Sequence, residues 1–350
     1  MSTFAKSTFN ASVYSASRPI YPLKLFEYIF AFHGQGVGSE SHKPRWERAI
    51  DIGCGTGQAT EQLTPFQEVI GIDPSSVMLD KARASIPHSL KTSTTETKFQ
   101  FLQGSAENLN QTILQPESVD LITAAQSAHW FDWGKVWPQT HRVLRRGGTA
   151  AFWVYAEFRL SNHPTLTPLI TAYAQGSNLH TSLGPYFQRP GRTILERHLV
   201  DVPEPSSILT DGGLEKLHRA FFCGDDIPSF IPRNASTHPI IMRKEMTWRD
   251  LLAYFRTWSA LHTFHERFPE DKTSAEDTRF LEADLAIESE AGKDTLFFLF
   301  FYDVRGGDIA IRFWKDLREN VLKETPDAKV GAGDTVLVEW PVALILTRKV

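Results

Sequence analysis

From Ala49 to Thr60 the chain reads AIDIGCGTGQAT, with glycines at 53, 55 and 57 directly after an apolar run. Glycine loses more conformational freedom on folding than any other residue. Three of them where a strand gives way to a helix imply that the backbone itself must approach something closely. The turn lacks the Gly-Lys-Ser/Thr of a phosphate loop. Its G-x-G-x-G spacing, with Asp51 two residues ahead, also departs from the G-x-G-x-x-G dinucleotide fingerprint. Asp73 ends the next apolar run, VIGID, 20 residues after Gly53. A carboxylate there can accept hydrogen bonds from two ribose hydroxyls. Standing before Pro74, it also has the form of a helix N-cap.

Two later stretches belong to the same crevice, because loops at the carboxyl ends of parallel strands converge. FLQGSAENL sets Ser105, Ala106 and Glu107 after a third strand, a small residue and an acid that suit the edge of an adenine ring. DLITAAQSAHWFDW sets Gln126 to Trp130 after a fourth. His129 titrates in the range useful to a general base. A structural hydrogen bond and a direct ligand contact are its other roles, and Trp130 suits a wall of the site. His88, His163, His180, His198 and His265 have no periodic context and read as surface residues.

The elements that must position these residues follow from hydrophobic periodicity. Leu23 to His33 fits a helix between Pro22 and Gly34. Trp46 to Ile52, Val69 to Asp73, FQFLQG, SVDLITAA and TAAFWVY read as strands. Helices are expected over Gly57 to Leu63, Pro74 to Ala84 and Trp133 to Leu144, with a polar surface loop over Ser85 to Lys98. Apolar strands alternating with helices predict an α/β fold with a mainly parallel sheet covered on both faces. Beyond Glu157 the rhythm breaks. Helices are expected over Pro164 to Tyr173, Leu214 to Phe222, Thr247 to Leu261, Thr278 to Ser289 and Asp308 to Leu322. LHTSLGPYFQRPGRT reads as a loop, Phe297 to Val304 is ambiguous between helix and strand, and VEWPVALILTRK reads as a terminal strand. Four segments result: 1–45 as a strap and helix, 46–156 as the core, 157–330 as a mostly helical insertion, and 331–350 as the returning strand.

Composition narrows the function. A formal charge of −4 over 350 residues makes a phosphate backbone an unlikely main partner, so no nucleic acid is expected. Cys54 and Cys223 are the only cysteines, and no spacing suggests a metal site or a disulfide. The first residues carry no apolar signal segment, and the run Leu296 to Tyr302 is too short to span a membrane. A cytoplasmic protein with no membrane partner is the expectation. Aromatics reach 12%, which suits either pocket walls or a bulky core.

Together, DIGCGTG, GIDPSSVML, GSAENL, DLITAAQSAHWFD and VLRRGGTAAFW resemble the class I S-adenosylmethionine-dependent methyltransferases over Ala49 to Val154. The resemblance implies a Rossmann-like sheet of order 3-2-1-4-5-7-6, with strand seven antiparallel and supplied by VEWPVALILTRK, and a helical lid after strand five. It implies that Gly53, Gly55 and Gly57 admit the methionine part and ribose of the cofactor, with Asp51 orienting the loop. Asp73 would hold the ribose, Pro74 and Met78 would flank the adenine, and Ser105, Ala106 and Glu107 would line its edge. Gln126 and Trp130 complete that set.

YSASRPIYP (Tyr14 to Pro22), AQSAHWFD and TWSA (Thr257 to Ala260) narrow the resemblance to the branch that contains fungal trans-aconitate methyltransferases and related small-molecule methyltransferases. This adds Tyr14 and Arg18 on the cofactor side, and Tyr21, Trp153, Tyr155 and Trp258 on the substrate side. The implied reaction is in-line O-methylation of a carboxylate on a small molecule, with S-adenosylmethionine as donor, S-adenosylhomocysteine as product, and no metal. A phenol, alcohol, thiol or amine acceptor with His129 as base is the alternative, as is a cofactor-binding regulator without catalysis. Arg159, Arg189, Arg192 and Arg233 are the cations available to an anionic acceptor, and the sequence places none of them over the crevice.

Overall fold

The computed structural model describes residues 18–35, 44–91, 96–210, 212–288 and 303–350. Tyr14 and most of the Phe297–Val304 run lie outside them. The chain divides into two compact units. A core unit takes Ile20–Ala156, Pro190–Met242 and Pro341–Val350, and a second unit takes Met1–Pro19, Glu157–Arg189 and Arg243–Trp340.

The strands are β1 (Arg48–Ile52), β2 (Glu68–Asp73), β3 (Ser89–Lys91), β4 (Glu96–Gln103), β5 (Val119–Ala125) and β6 (Leu144–Tyr155). They continue with β7 (Arg159–Leu160), β8 (His218–Phe222), β9 (Ser236–His238), β10 (Met242–Thr247), β11 (Thr335–Trp340) and β12 (Val342–Arg348). The helices are α1 (Leu23–Gly34), α2 (Ser76–Ser85), α3 (Trp133–Val143), α4 (Thr167–Gln175) and α5 (Gly191–Glu196). After them come α6 (Trp248–Arg256), α7 (Ser259–Arg267), α8 (Leu281–Glu288) and α9 (Ile309–Glu324). Among the described residues, no helix is long and apolar enough to cross a membrane.

The core sheet runs β3-β4-β2-β1-β5-β6-β12-β8-β9. Without its edge strands β3 and β9, this is the expected 3-2-1-4-5-7-6 order, and β12 is antiparallel to both β6 and β8. Central β5 is buried nearly throughout, as a strand covered on both faces must be. Near the edge, β4 alternates, with Thr97, Phe99 and Phe101 inward and charged or polar residues between them. Helix α3 turns Trp133, Val136, Trp137, Thr140 and Val143 inward at helical spacing, against a core that includes Phe152 and Ile122.

Several local expectations give way to tertiary effects. Gly57–Leu63 forms only the 3-10 turn Thr60–Gln62. Gly57 is left-handed at φ +87°, and Pro65 restricts the residue before it, so a longer helix has no room. The expected loop Ser85–Lys98 contains β3, which pairs antiparallel with β4 at the sheet margin, where a strand needs no apolar face. Leu214–Phe222, expected as a helix, supplies β8, because pairing with β12 overrides local preference. The loop expected over 179–193 runs into α5. VEWPVALILTRK is split at Pro341, which offers no N–H to a ladder, into β11 and β12 in different sheets.

The segment 190–242 belongs to the core unit rather than to a single 157–330 insertion. Arg219 on β8 donates to the carbonyls of Leu199 at 2.8 Å and Val202 at 2.7 Å, and Trp137 Nε1 donates to Pro203 O at 3.0 Å. The second unit has its own three-stranded sheet, β10-β11-β7, so it is not purely helical. Its Thr247–Leu261 stretch makes two helices: a capping box of Thr247 and Asp250 starts α6, and the chain breaks at Thr257–Trp258 before α7.

Candidate functional site

Strand β1 delivers the glycine turn to the carboxyl edge of the sheet. The N–H groups of Gly53 and Cys54 both donate to Ile72 O, at 2.7 and 3.1 Å, which folds the turn back over the end of β2. Gly53, Gly55 and Gly57 all have positive φ, at +67°, +56° and +87°. Their surroundings differ. A Cβ on Gly53 would sit 2.5 Å from Ser127 Cβ, and one on Gly57 would sit 2.4 Å from Ile86 Cδ1. A Cβ on Gly55 would meet no described residue within 4 Å. Packing against Ser127 therefore demands glycine at 53, the left-handed backbone favours it at all three, and among the described residues the third has open space beside it.

Two acids stand at the ends of β1 and β2, on either side of this turn in the sequence. Asp73, at the end of β2, accepts from Gly55 N at 2.9 Å through one oxygen and from Ser75 N at 2.8 Å through the other. The N-cap of α2 is Ser75, whose Oγ accepts from Met78 N at 3.4 Å, so Asp73 is a clamp on the glycine turn and not the cap. Each carboxylate oxygen retains acceptor capacity after one such bond. Asp51 is fully buried, and its oxygens accept from the hydroxyls of Thr60 at 2.7 Å and Thr123 at 2.8 Å. Among the described residues, neither acid has a cationic side chain as partner. Burial, opposed by the two hydroxyls and reinforced by Asp73, raises the Asp51 carboxyl from 3.8 to about 6. Burial also raises Asp73. Thr60 and Thr123 were not singled out from sequence, although a threonine inside apolar β5 was a visible signal.

Of the residues expected beside a nucleoside, Met78 and Ala106 are buried, Ser105 is half-buried and Pro74 is exposed. Glu107 accepts from Asp132 N at 3.3 Å, which ties the loop after β4 to the loop after β5.

The loop after β5 is pinned on both sides. Ser127 Oγ donates to Ile52 O at 2.8 Å and shoulders against Gly53. Gln126 is left-handed at φ +53°, and its carboxamide bonds both ways with Tyr155, accepting from N at 2.7 Å and donating to O at 3.1 Å. Expected as a cofactor contact, Gln126 has its side chain committed to the end of β6. His129 is only 5% exposed, its Nδ1 has no hydrogen-bond partner among the described residues, and its ring lies 4.7 Å from that of Trp130. Burial, with a contribution from the positive charge of Arg192, lowers its pKa to about 3. An imidazole so weakly basic is mismatched to general-base work near neutral pH, the role that belongs to the alternative acceptors. Trp130 remains 42% exposed and packs on the backbone of Gly191, where a Cβ would come within 2.5 Å of its ring. Sequence reading missed Gly191, because nothing local marks a residue whose neighbour lies so far away in the chain.

The expected substrate-side residues separate. Trp153 is fully buried, 5.6 Å from the Tyr21 ring and 5.8 Å from that of Phe26, both edge-on. It is a core side chain beneath α1 and has no surface to offer a substrate. Tyr21 and Tyr155 are nearly buried in the same aromatic group. Trp258 lies in the second unit, buried among Tyr173, Phe187, Tyr254 and Phe255. Arg18 belongs to the second unit as well. It donates to Thr257 O at 3.2 Å and lies over the Tyr254 ring at 5.4 Å. Among the described residues, no three His, Cys, Asp or Glu side chains gather as a metal site.

Comparison with known proteins agrees with this geometry. Residues 50–152 match the methyltransferase domain family. The chain is similar to "Probable S-adenosylmethionine-dependent methyltransferase CRG1" of Saccharomyces cerevisiae, at 32% identity over 55% of this chain and 60% of that protein. It is also similar to trans-aconitate 2-methyltransferase of Deinococcus radiodurans, at 30% identity over 40% of this chain and 47% of the relative. The matches thus span only part of these relatives. A solved structure from Anaeromyxobacter dehalogenans, assigned as a type II methyltransferase, superposes with a TM-score of 0.54 over 95% of this chain and 97% of its own. At 20% identity it speaks for the fold alone. The fold is that of the class I methyltransferases. The residues that match the methyltransferase domain family, 50–152, carry the glycine turn and both acids.

Proposed function

We propose that this chain is an S-adenosylmethionine-dependent methyltransferase that methylates a small organic molecule on a carboxylate oxygen. The observation that carries the cofactor reading is Gly55, whose missing side chain opens the space beside Asp73. Gly53, Gly55 and Gly57 would let the ligand lie against the backbone, and Asp73 would accept from its ribose. Asp51, buried without a cation, favours a ligand that brings positive charge. Met78 and Ala106 would supply apolar surface for the base. Trp130 is the exposed aromatic next to this set.

When bound, the cofactor supplies an activated methyl group on a positively charged sulfur. A carboxylate acceptor would take that methyl group on oxygen, with sulfur keeping the electron pair of the broken bond, and would leave the protein no proton to remove. The protein's task is then alignment and exclusion of water. His129, held neutral by burial, favours an acceptor that is already ionised over a phenol, alcohol or amine that must lose a proton. The similarity to a trans-aconitate methyltransferase points to the same acceptor class.

Titration calorimetry with S-adenosylhomocysteine, S-adenosylmethionine and a nicotinamide dinucleotide tests the cofactor reading. Binding of the adenosyl ligands alone is expected, and binding of the dinucleotide alone would refute it. Methyl-labelled donor with a panel of tricarboxylic acids, phenols, thiols and amines, read by product mass, tests the acceptor.

A further inference from the structure

We infer that Thr60 is a positioning residue for the cofactor, acting through Asp51 to fix the shape of the glycine turn, an assignment that rests on the methyltransferase reading above. The turn is tied at three points. Its entry is held by Ile72 O, which accepts from the N–H groups of Gly53 and Cys54. Its middle is held by Asp73, which accepts from Gly55 N at 2.9 Å. Beyond Gly57, the Thr60 hydroxyl donates to Asp51 at 2.7 Å and closes a loop that contains all three glycines.

The sheet leaves Asp51 dependent on hydroxyls. In the register of β1 it stands between Gly71 on β2, which has no side chain, and Thr123 on β5. Thr123 donates to one carboxylate oxygen at 2.8 Å, and Thr60 donates to the other. Asp51, Thr60 and Thr123 are all sealed from solvent, so a valine in place of either threonine leaves its bond unreplaced by water. A hydroxyl carries no charge; it orients the carboxylate and favours its ionised form. The titratable groups facing Asp51 are Asp73 from β2, whose charge opposes that form, and Cys54 in the turn, whose thiol burial and the two acids keep protonated. Arg83 of α2 donates instead to Asp80 and to Phe101 O. Thr60 and Thr123 thus favour the ionised acid against burial and Asp73. Without Thr60, Asp51 takes up its proton at higher pH and the exit of the turn is released. A binding constellation has to be held to within about 0.5 Å, so a loosened turn binds its ligand less well.

The test compares the native chain with Thr60→Val, Thr60→Ala and Thr60→Ser. Urea unfolding establishes first which variants fold, and alanine stands in if valine does not. Affinity for S-adenosylhomocysteine is then measured by titration calorimetry from pH 5.5 to 8. In the native chain it should be flat above about pH 7 and fall below that as Asp51, at about 6, is protonated, because a proton on one oxygen weakens one of its two ties. In the hydroxyl-free variants the fall should begin about one pH unit higher, since one charged hydrogen bond is worth about a tenfold change in proton affinity. Thr60→Ser should return the profile toward the native one. A threonine that served stability alone would lower the urea midpoint and leave the profile unmoved. The inference is overturned by that result, by a native profile with no acid limb, or by a serine variant that behaves like the valine one. A native chain that binds neither S-adenosylhomocysteine nor S-adenosylmethionine at any pH would instead overturn the methyltransferase reading itself.

Discussion

Asp51 in the core unit and Asp284 in the second unit are both sealed from solvent, yet they are treated in opposite ways. Asp284 is closed. It takes a bidentate bond from Arg318 at 2.7 and 2.8 Å and a third from Ala332 N at 2.9 Å. The Arg318 guanidinium also donates to Val330 O and lies over the rings of Trp314 and Phe280. Asp51 has two threonine hydroxyls and, among the described residues, no cation. A buried carboxylate is costly without compensation, and here Asp284 has a guanidinium while Asp51 has hydroxyl donors.

The largest effect expected from this contrast comes from breaking the closed pair. Arg318→Ala leaves Asp284 buried and uncompensated, which should cost about 3–5 kcal/mol in urea unfolding. A loss below about 1 kcal/mol would mean that the pair is not a structural keystone of its unit.

Removing the open charge should do the reverse. With its folded pKa raised from 3.8 to about 6, Asp51 contributes stability that is fully present below pH 3.8 and lost as the pH rises through 6, on the order of 3 kcal/mol. His129, depressed to about 3, runs the other way, its contribution lost as the pH falls from 6.5 toward 3. The difference between native chain and Asp51→Asn therefore isolates the acid. The native chain should gain on the variant between pH 6.5 and 4.5, and a pH-independent difference would contradict the assignment.

Asp73→Ala sharpens the comparison from the ligand side. Affinity for S-adenosylhomocysteine should fall by roughly 1.5–3 kcal/mol per charged hydrogen bond lost. Part of that loss will reflect release of Gly55 N from its clamp. Unchanged affinity in a folded variant would refute ribose binding.

The smallest effect is expected at His129. With a carboxylic acid acceptor, kcat should stay nearly flat from about pH 6.5 to 8.5, because the nucleophile is ionised throughout. His129→Ala should not add or remove a pH dependence. A native inflection near 6.5 that vanishes in the variant would restore the general base and move the acceptor toward phenols or amines.

The cradle was legible because its causes are local. Three glycines with positive φ lie within one turn, and Asp73 reaches back to Gly55 from the very next strand. The sheet order followed from the resemblance, although β8, which fills the strand-six place, had been read as helix. HRAFF becomes a strand only because β12 lies beside it. The substrate side was not legible. Trp153 and Trp258 carry the residue type of a pocket wall, but each is packed among other aromatics inside its own unit. Gln126 looked like a ligand contact, and its carboxamide instead completes the end of β6.

By itself, then, the sequence determined the glycine turn, the acid after the second strand and the alternation that builds the sheet, since dihedral preference and hydrophobic period act over a few residues. Only the tertiary structure decided that Asp284 would meet Arg318 while Asp51 met two threonine hydroxyls, that His129 would be buried, and that Gly191 would pack against Trp130. Desolvation and charge depend on what the rest of the chain folds over a residue, and the residues that settle those matters here lie far from it in the sequence.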